Sequence, residues 1–166
     1  GIVLFIAKLI AWHLTNSDAV FSDAMESIVN IIAAFMGLYA LYLAAKPKDR
    51  EHPYGHGKVE FVTSGIEGAL IIFAGVIIIV QSVDSLLHGN IPKKLDWGIV
   101  IVAVTAAINY LLGYISYQNG ITENSLVLQS SGKHLQSDTL TTLGVVVSLV
   151  LVYFTKIYWI DAAVAM

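Results

Sequence analysis

The feature that most constrains this sequence is a series of long apolar runs separated by short polar connections. The stretch from Leu70 to Val80, for example, contains no polar side chain. A helix needs about 20 predominantly apolar residues to cross the hydrocarbon layer of a bilayer, whereas a strand of a membrane barrel alternates apolar and polar positions. Because the runs are apolar on every face, the pattern predicts membrane-spanning helices in contact with lipid.

Composition excludes several other classes of protein. The chain has 166 residues, of which 57% are hydrophobic and only 13% are charged, so it is too apolar for an ordinary soluble domain. Its net charge of -3 and the lack of a basic stripe argue against a nucleic-acid partner. The sequence contains no cysteine, which excludes disulfides and thiolate metal sites. Any metal must therefore be bound by histidine, carboxylate or amide groups.

The chain divides into six predicted helices, at about 1–15, 20–45, 59–87, 97–117, 124–154 and 159–166. The first and last are too short to span a bilayer, so we expect both to be parts of longer helices. The predicted fold is an all-α membrane protein, a six-helix transmembrane bundle truncated at its first and last helices. Gly65, Gly68 and Gly75 in the third helix are expected to permit close helix approach and small sliding movements.

The basic residues of the connections predict an orientation. Five lie on the side of the second-to-third and fourth-to-fifth connections: Lys46, Lys48, Arg50, Lys58 and Lys133. Three lie on the other side: Lys93, Lys94 and Lys156. Because cytoplasmic loops are enriched in lysine and arginine, the loop between helices two and three is predicted to be cytoplasmic. We expect the membrane to be the plasma (inner) membrane.

Ionisable and amide residues within two predicted helices indicate a metal site. Glu26 and Asn30 lie four residues apart on the second helix, and His134 and Asp138 lie four apart on the fifth. Such pairs on facing helices can bring four ligands to one cation. Asp23 lies on the same stripe as Glu26 and is a possible further ligand, although it could instead be hydrated or begin the helix.

Other interpretations of polar residues in the helices remain open. A single intramembrane polar residue can simply hydrogen-bond to a neighbouring helix and set the packing, but five such residues on two helices favour a site. Lys8, His13 and Asp84 are isolated in the sequence. For these three we expect only packing, or snorkelling of the polar group towards water.

The polar loop between the second and third helices carries a second candidate metal site. Asp49, His52 and His56 are three and four residues apart around Pro53 and Gly55. A compact turn there could bring two imidazoles and a carboxylate together, which suits zinc. The alternative is an ordinary solvated loop.

Three stretches of this chain resemble the membrane domain of the cation diffusion facilitator family: SDAVFSDAMESIVNIIAAFMGLYALYLAAKPKDREHPYGHGKVEF, then GKHLQSDTLTTLGVVVSLV, then WIDAAVAM. The resemblance covers nearly the whole chain, so residues 1–166 are interpreted as one cation efflux transmembrane domain, without the family's usual cytoplasmic C-terminal domain. It implies six helices, a homodimer, and metal efflux coupled to proton entry.

The resemblance also implies which residues bind metal. His134 and Asp138 match the family's HxxxD motif on helix five. Glu26 and Asn30 occupy the positions of the helix-two pair, where the family commonly has histidine or aspartate followed by aspartate. The family's loop site corresponds to the following residues: Asp49, His52 and His56.

The predicted function is the export of a divalent metal cation from the cytoplasm by proton-coupled alternating access. Zinc is the expected cation and a possible ion of the loop site, and Fe²⁺ or Mn²⁺ remain alternatives because oxygen ligands dominate the predicted set. The alternatives are an enzyme and a scaffold. A membrane-embedded metal-dependent enzyme is disfavoured because the sequence has no HExxH pair and no evident nucleophile with a partnered base. A non-transporting scaffold would leave the buried polar stripe without a purpose.

Overall fold

The computed structural model describes residues 1–44, 58–88, 91–124 and 126–166, which form six helices. Their bounds are α1 Ile2–Thr15, α2 Asp18–Ala44, α3 Lys58–His88, α4 Leu95–Thr122, α5 Leu126–Thr155 and α6 Trp159–Ala165. Helices α2, α3, α4 and α5 are each long and apolar enough to cross a membrane. The predicted all-α bundle is confirmed. The largest difference is at the C-terminal end of α4, which continues five residues beyond the predicted end at Tyr117.

The outer surface of the bundle is apolar. On α3, Ile72, Phe73 and Val80 are each more than 60% exposed, whereas Ala74 on the same helix is buried. Large apolar side chains that project outwards along a whole helix are unfavourable in water and favourable against lipid tails. The chain is therefore an integral, multi-pass membrane protein.

The turn between α1 and α2 is tight because two polar residues terminate and begin the helices. Asn16 ends α1 in the left-handed conformation, with φ of 50°, and its backbone N–H donates to the Trp12 carbonyl. Asparagine tolerates this conformation better than most residues. The Ser17 hydroxyl then accepts a hydrogen bond from the Val20 N–H at 3.2 Å, which is the usual N-cap interaction. Helices α1 and α2 are therefore antiparallel neighbours.

A carboxylate on α6 accepts hydrogen bonds at the N-terminus of α2. Asp161 Oδ1 accepts a hydrogen bond from the Ser17 hydroxyl at 2.6 Å, and its Oδ2 accepts one from the Asp18 N–H at 2.7 Å. The first N–H groups of a helix lack partners within the helix, and its N-terminus favours negative charge. Asp161 therefore supplies hydrogen-bond acceptors to the donors at the N-terminus of α2, and it holds α6 against α2.

The apolar core lies at one end of the bundle. It is formed by residues of α1, α2, α4 and α5: Ala11, Ala19, Val20, Leu95, Val102, Val145, Leu149 and Val152. All but Val145 lie within about two helical turns of the connections from α1 to α2, from α3 to α4, or from α5 to α6. The Lys93 N–H, which precedes α4, donates to the Thr15 carbonyl at 2.7 Å and joins two of these connections. We call this part of the molecule the closed end.

Close backbone approach occurs between α4 and α5 rather than at α3. A Cβ atom added at Gly132 would lie 2.5 Å from the Tyr117 nitrogen and 2.7 Å from the Gly113 oxygen. The expectation for the glycines of α3 is wrong: among the described residues, no atom lies within 4 Å of a Cβ added at Gly65, Gly68 or Gly75. The number of glycines in a helix does not show which face meets a neighbour, and among the described residues this face of α3 has no close neighbour.

Candidate metal site

A polar cavity occupies the half of the bundle away from the closed end. Its volume is about 250 Å³, and α1, α2, α4 and α5 all contribute to its wall. Three of the four predicted transport ligands line it: Asn30, His134 and Asp138. Polar groups of Lys8, Ser27, Asn109 and Ser131 also belong to the wall. The predicted convergence of α2 and α5 is therefore present for three of the four residues.

Asp138 is the centre of this group. The Asn30 amide nitrogen donates to Asp138 Oδ2 at 3.0 Å, across the contact between α2 and α5. The His134 Nε2 atom lies 3.9 Å from the same oxygen, because the two side chains are one helical turn apart on α5. The Asp138 side chain is 13% exposed and that of His134 is 60% exposed. The carboxylate is thus held inside the cavity, with the imidazole at its rim.

Glu26 lies beside this group but is separated from it. Its Oε2 accepts a hydrogen bond from the Thr141 hydroxyl at 3.2 Å, and within the described part of the chain Glu26 is not among the residues that line the cavity. No set of three histidine, aspartate or glutamate side chains within that part is close enough to hold a metal ion. A four-ligand site would require Glu26 to leave Thr141 and the Asn30 amide to turn its oxygen towards the cation.

Asp23 is bound to a neighbouring lysine. It is 2% exposed, and its Oδ1 accepts hydrogen bonds from the Lys8 ammonium at 2.9 Å and from the Thr142 hydroxyl at 2.7 Å. The suggestion that Asp23 is hydrated or begins the helix is wrong, because α2 begins at Asp18 and Asp23 lies in its buried interior. One Asp23 oxygen is therefore already paired with the Lys8 ammonium.

Lys8 is the functional candidate that the sequence interpretation missed. Only 5% of it is exposed, so snorkelling to water is wrong for this residue. A signal was available: Lys8 precedes the turn residue Asn16 by eight positions and Asp23 follows it by seven. At about 1.5 Å per residue, an antiparallel pair of helices places these two side chains at similar depth. His13 is exposed, and so is the pair formed by Asp84 and His88.

The predicted loop site lies outside the described residues. Asp49, His52 and His56 all fall between residues 45 and 57. Their grouping remains a prediction from the sequence.

The site therefore offers only nitrogen and oxygen donors: an imidazole, a carboxylate and an amide, with a second carboxylate nearby. Imidazole suits zinc and other late divalent metals, whereas carboxylate and carbonyl oxygens suit harder cations such as Mn²⁺. Because binding requires ionised carboxylates and neutral imidazole, protons compete with metal for the same atoms.

Comparison with known proteins supports the same interpretation. The family model described as the cation efflux transmembrane domain matches residues 1–166. The uncharacterized transporter sll1263 of Synechocystis sp. is 39% identical over 162 residues, which are 96% of this chain and 51% of that protein. The magnetosome protein MamM of Magnetospirillum gryphiswaldense is 30% identical over 166 residues, 99% of this chain and 52% of that protein.

A third relative carries a more specific name. The cadmium, cobalt and zinc/H(+)-K(+) antiporter of Bacillus subtilis is 28% identical over 157 residues, 94% of this chain and 50% of that protein. The chain thus spans about half the length of these relatives.

Proposed function

Because the chain belongs to the cation efflux transmembrane domain family, whose members are transporters and not enzymes, we propose that it forms the membrane pathway of a divalent metal transporter. The transporter exports the metal from the cytoplasm by alternating access, in exchange for protons. Asn30, His134, Asp138 and Glu26 bind the cation during its passage. The family membership confirms the resemblance inferred from the sequence motifs.

The observation that carries this proposal is the contact between Asn30 and Asp138 in the wall of a polar cavity, with His134 at its rim. Polar groups at membrane depth are unfavourable unless they are paired or serve an ion path. This contact joins two helices that are far apart in the sequence, and it places a carboxylate, an amide and an imidazole beside one cavity. A cation that replaces the amide hydrogen bond would be bound by both helices.

Zinc is the cation we propose first. The name of the Bacillus subtilis relative includes zinc together with cadmium and cobalt, and imidazole ligands suit zinc. Fe²⁺ and Mn²⁺ are alternatives because amide and carboxylate oxygens outnumber imidazole in the proposed set. The same relative is named as an antiporter of H⁺ and K⁺, which supports proton exchange here.

The proposed orientation determines which side of the membrane the cavity faces. If the loop between α2 and α3 is cytoplasmic, the cavity lies in the cytoplasmic half of the bundle and the closed end faces outwards. Metal enters the cavity and binds, and a rocking of the helices then opens the closed end while the cytoplasmic half closes. The loop residues Asp49, His52 and His56 form an accessory metal site. The transporter is a homodimer, as the family resemblance implies.

The test is metal flux in proteoliposomes that contain the whole protein and a metal-sensitive dye. Wild-type protein should transport Zn²⁺, and a panel with Fe²⁺ and Mn²⁺ measures selectivity. Loss of a residue that only supports a metal ligand costs about 10 to 100-fold in affinity, so Asp138→Asn and His134→Ala should each reduce flux by at least about that factor. A gradient that is acidic on the receiving side should increase flux.

The matched control is Asp84→Asn, which removes an exposed carboxylate that is not part of the cavity wall and should leave flux unchanged. Normal flux in both site variants would contradict the assignment of the site. Flux that does not change with the imposed proton gradient would indicate uniport, and it would contradict only the proposed coupling to protons.

A further inference from the structure

A second polar cluster lies between the candidate metal site and the closed end. The Lys8 ammonium is 2.9 Å from Asp23 Oδ1, 2.9 Å from the Ser27 hydroxyl and 3.4 Å from the Thr142 hydroxyl. Lys8, Asp23 and Thr142 are all at least 95% buried. We call Lys8, Asp23, Ser27 and Thr142 the floor cluster, because Lys8 and Ser27 form part of the cavity wall.

Within the floor cluster, side-chain oxygens surround the Lys8 ammonium in the way that oxygen ligands of a protein surround a bound cation. A lysine ammonium has three donors and no acceptor, and here a carboxylate and two hydroxyl oxygens accept from it. Charged groups are rarely buried unless they are paired, since an unpaired buried charge is strongly unfavourable. The Asp23 Oδ2 atom is buried and has no hydrogen-bond partner within the described part of the chain. The carboxylate thus retains acceptor capacity beyond what Lys8 uses.

The charged groups of the floor cluster lie next to the candidate metal site. Lys8 and Ser27 line the same cavity as Asn30 and Asp138. Thr142 is one helical turn from Asp138 on α5, and its hydroxyl also lies 2.9 Å from the Asp138 carbonyl. Charges this near to one another in a membrane interior interact strongly, because little water screens them.

We propose that Lys8 sets the metal affinity of the proposed site: it is a tethered cation that neutralises Asp23 and determines the net charge that the cavity offers to a metal. This inference rests on the proposed function. One ammonium and three carboxylates lie in or beside the cavity: Lys8 and Asp138 are in its wall, Asp23 is paired with Lys8, and Glu26 is bound to Thr141 next to Asp138. Two negative charges remain, which match one divalent cation. Without Lys8, three negative charges would favour tighter binding of the metal and slower release.

The experiment measures Zn²⁺ affinity of the whole protein in lipid nanodiscs. The cavity signal is the binding that Asp138→Asn removes, so any loop site is subtracted. Lys8→Met should tighten binding by at least about tenfold, and Asp23→Asn should weaken it by at least about tenfold, because the two changes alter the local charge in opposite directions. The double variant Lys8→Met/Asp23→Asn should return to within about threefold of wild type.

A purely structural role for the ion pair would give a different pattern. Both single variants would then lose affinity in proportion to lost stability, and that result would overturn the proposal. Because a single variant leaves one buried charge unpaired, it can fail to fold. The charge-swapped pair Lys8→Asp/Asp23→Lys and the neutral double variant then decide. Both preserve the net charge, and a change of more than about tenfold in either folded protein would overturn the proposal.

The outcomes separate this proposal from the proposed function. Wild-type protein that binds no metal, or Asp138→Asn protein that binds it normally, would overturn the proposed function and this inference with it. Metal binding that depends on Asp138 but is unaffected by the Lys8 and Asp23 variants would overturn this inference alone.

Discussion

The two ends of the bundle are built from the same four helices, α1, α2, α4 and α5, yet they pack by different means. At the closed end, aliphatic side chains fill the space between the helices, and Asp161 satisfies the first turn of α2. In the other half, the helices surround a polar cavity, and α4 approaches α5 through glycines. The floor cluster separates the two regions.

This difference indicates a division of roles along the bundle axis. A close-packed apolar region resists deformation and excludes water, so the closed end provides stability and a seal. A cavity with polar walls forgoes that packing and provides space for an ion. Substitutions at the closed end should therefore change stability with little effect on metal affinity, whereas those around the cavity should change affinity.

The largest expected effect concerns the contact between α4 and α5. Gly132→Ala would place a methyl group 2.5 Å from the Tyr117 nitrogen and 2.7 Å from the Gly113 oxygen. Both are backbone atoms, so only separation of the helices relieves the clash. Overpacking costs about 1–3 kcal/mol, and here we expect the upper end, about 3 kcal/mol, in the free energy of unfolding measured by denaturant titration in detergent.

The control for this prediction lies on the same helix. Among the described residues, no atom lies within 4 Å of a Cβ added at Gly144. Gly144→Ala should therefore stabilise α5 by up to about 1 kcal/mol through helix propensity alone. Equal stability changes in the two variants would show that α4 and α5 do not touch through Gly132.

The second prediction tests the closed end. Asp161→Ala removes the acceptor of two buried hydrogen bonds, from the Ser17 hydroxyl and the Asp18 N–H. Donors left without partners cost about 1–3 kcal/mol, so we expect a loss of about 2 kcal/mol in the free energy of unfolding. Asp84→Ala, at an exposed carboxylate, should change it by less than about 0.5 kcal/mol.

This variant also tests the division of roles. Zn²⁺ affinity measured well below the melting temperature should be the same in Asp161→Ala and wild-type protein. A large loss of affinity in a folded Asp161→Ala protein would mean that the closed end and the cavity are coupled, and that their roles are not divided.

Much of the fold was accessible from the sequence because helix bounds are a local property. Apolar runs and the polar residues between them predicted each helix to within a few positions, apart from the longer end of α4. The four-residue spacing of His134 and Asp138 likewise predicted that both side chains share a face of α5, and both line the cavity. These predictions need only the periodicity of a single helix.

Contacts between distant helices were not accessible in the same way. Lys8 contacts Thr142, which is 134 residues away, and Asp161 contacts Ser17, which is 144 residues away. Helix periodicity gives the face of a residue but not the neighbour that the face meets. For the same reason, Gly65, Gly68 and Gly75 were expected at a helix contact that Gly113 and Gly132 make instead.

The smallest expected effect is that of Asn30→Asp, which tests whether residue 30 binds the cation in the cavity. In the structure the Asn30 amide donates to Asp138 Oδ2, so an aspartate at position 30 would place two carboxylates face to face. Without metal, the two carboxylates would repel each other or share a proton. A divalent cation would offset the repulsion or replace the shared proton. We expect Zn²⁺ affinity to rise about tenfold, equivalent to about 1.4 kcal/mol, with slower turnover.

The mechanism behind this variant can be separated from a general effect of added charge. Asn109→Asp adds the same charge to the wall of the same cavity, but the Asn109 amide faces the Leu135 carbonyl, at 3.5 Å, and not Asp138. Its effect on affinity should be smaller. Calorimetry in buffers of different ionisation enthalpy should also show that Zn²⁺ releases more protons from Asn30→Asp than from wild-type protein, because metal must displace the shared proton. Equal affinity gains in the two variants, without extra proton release, would mean that Asn30 does not bind the cation and acts only through the charge of the cavity.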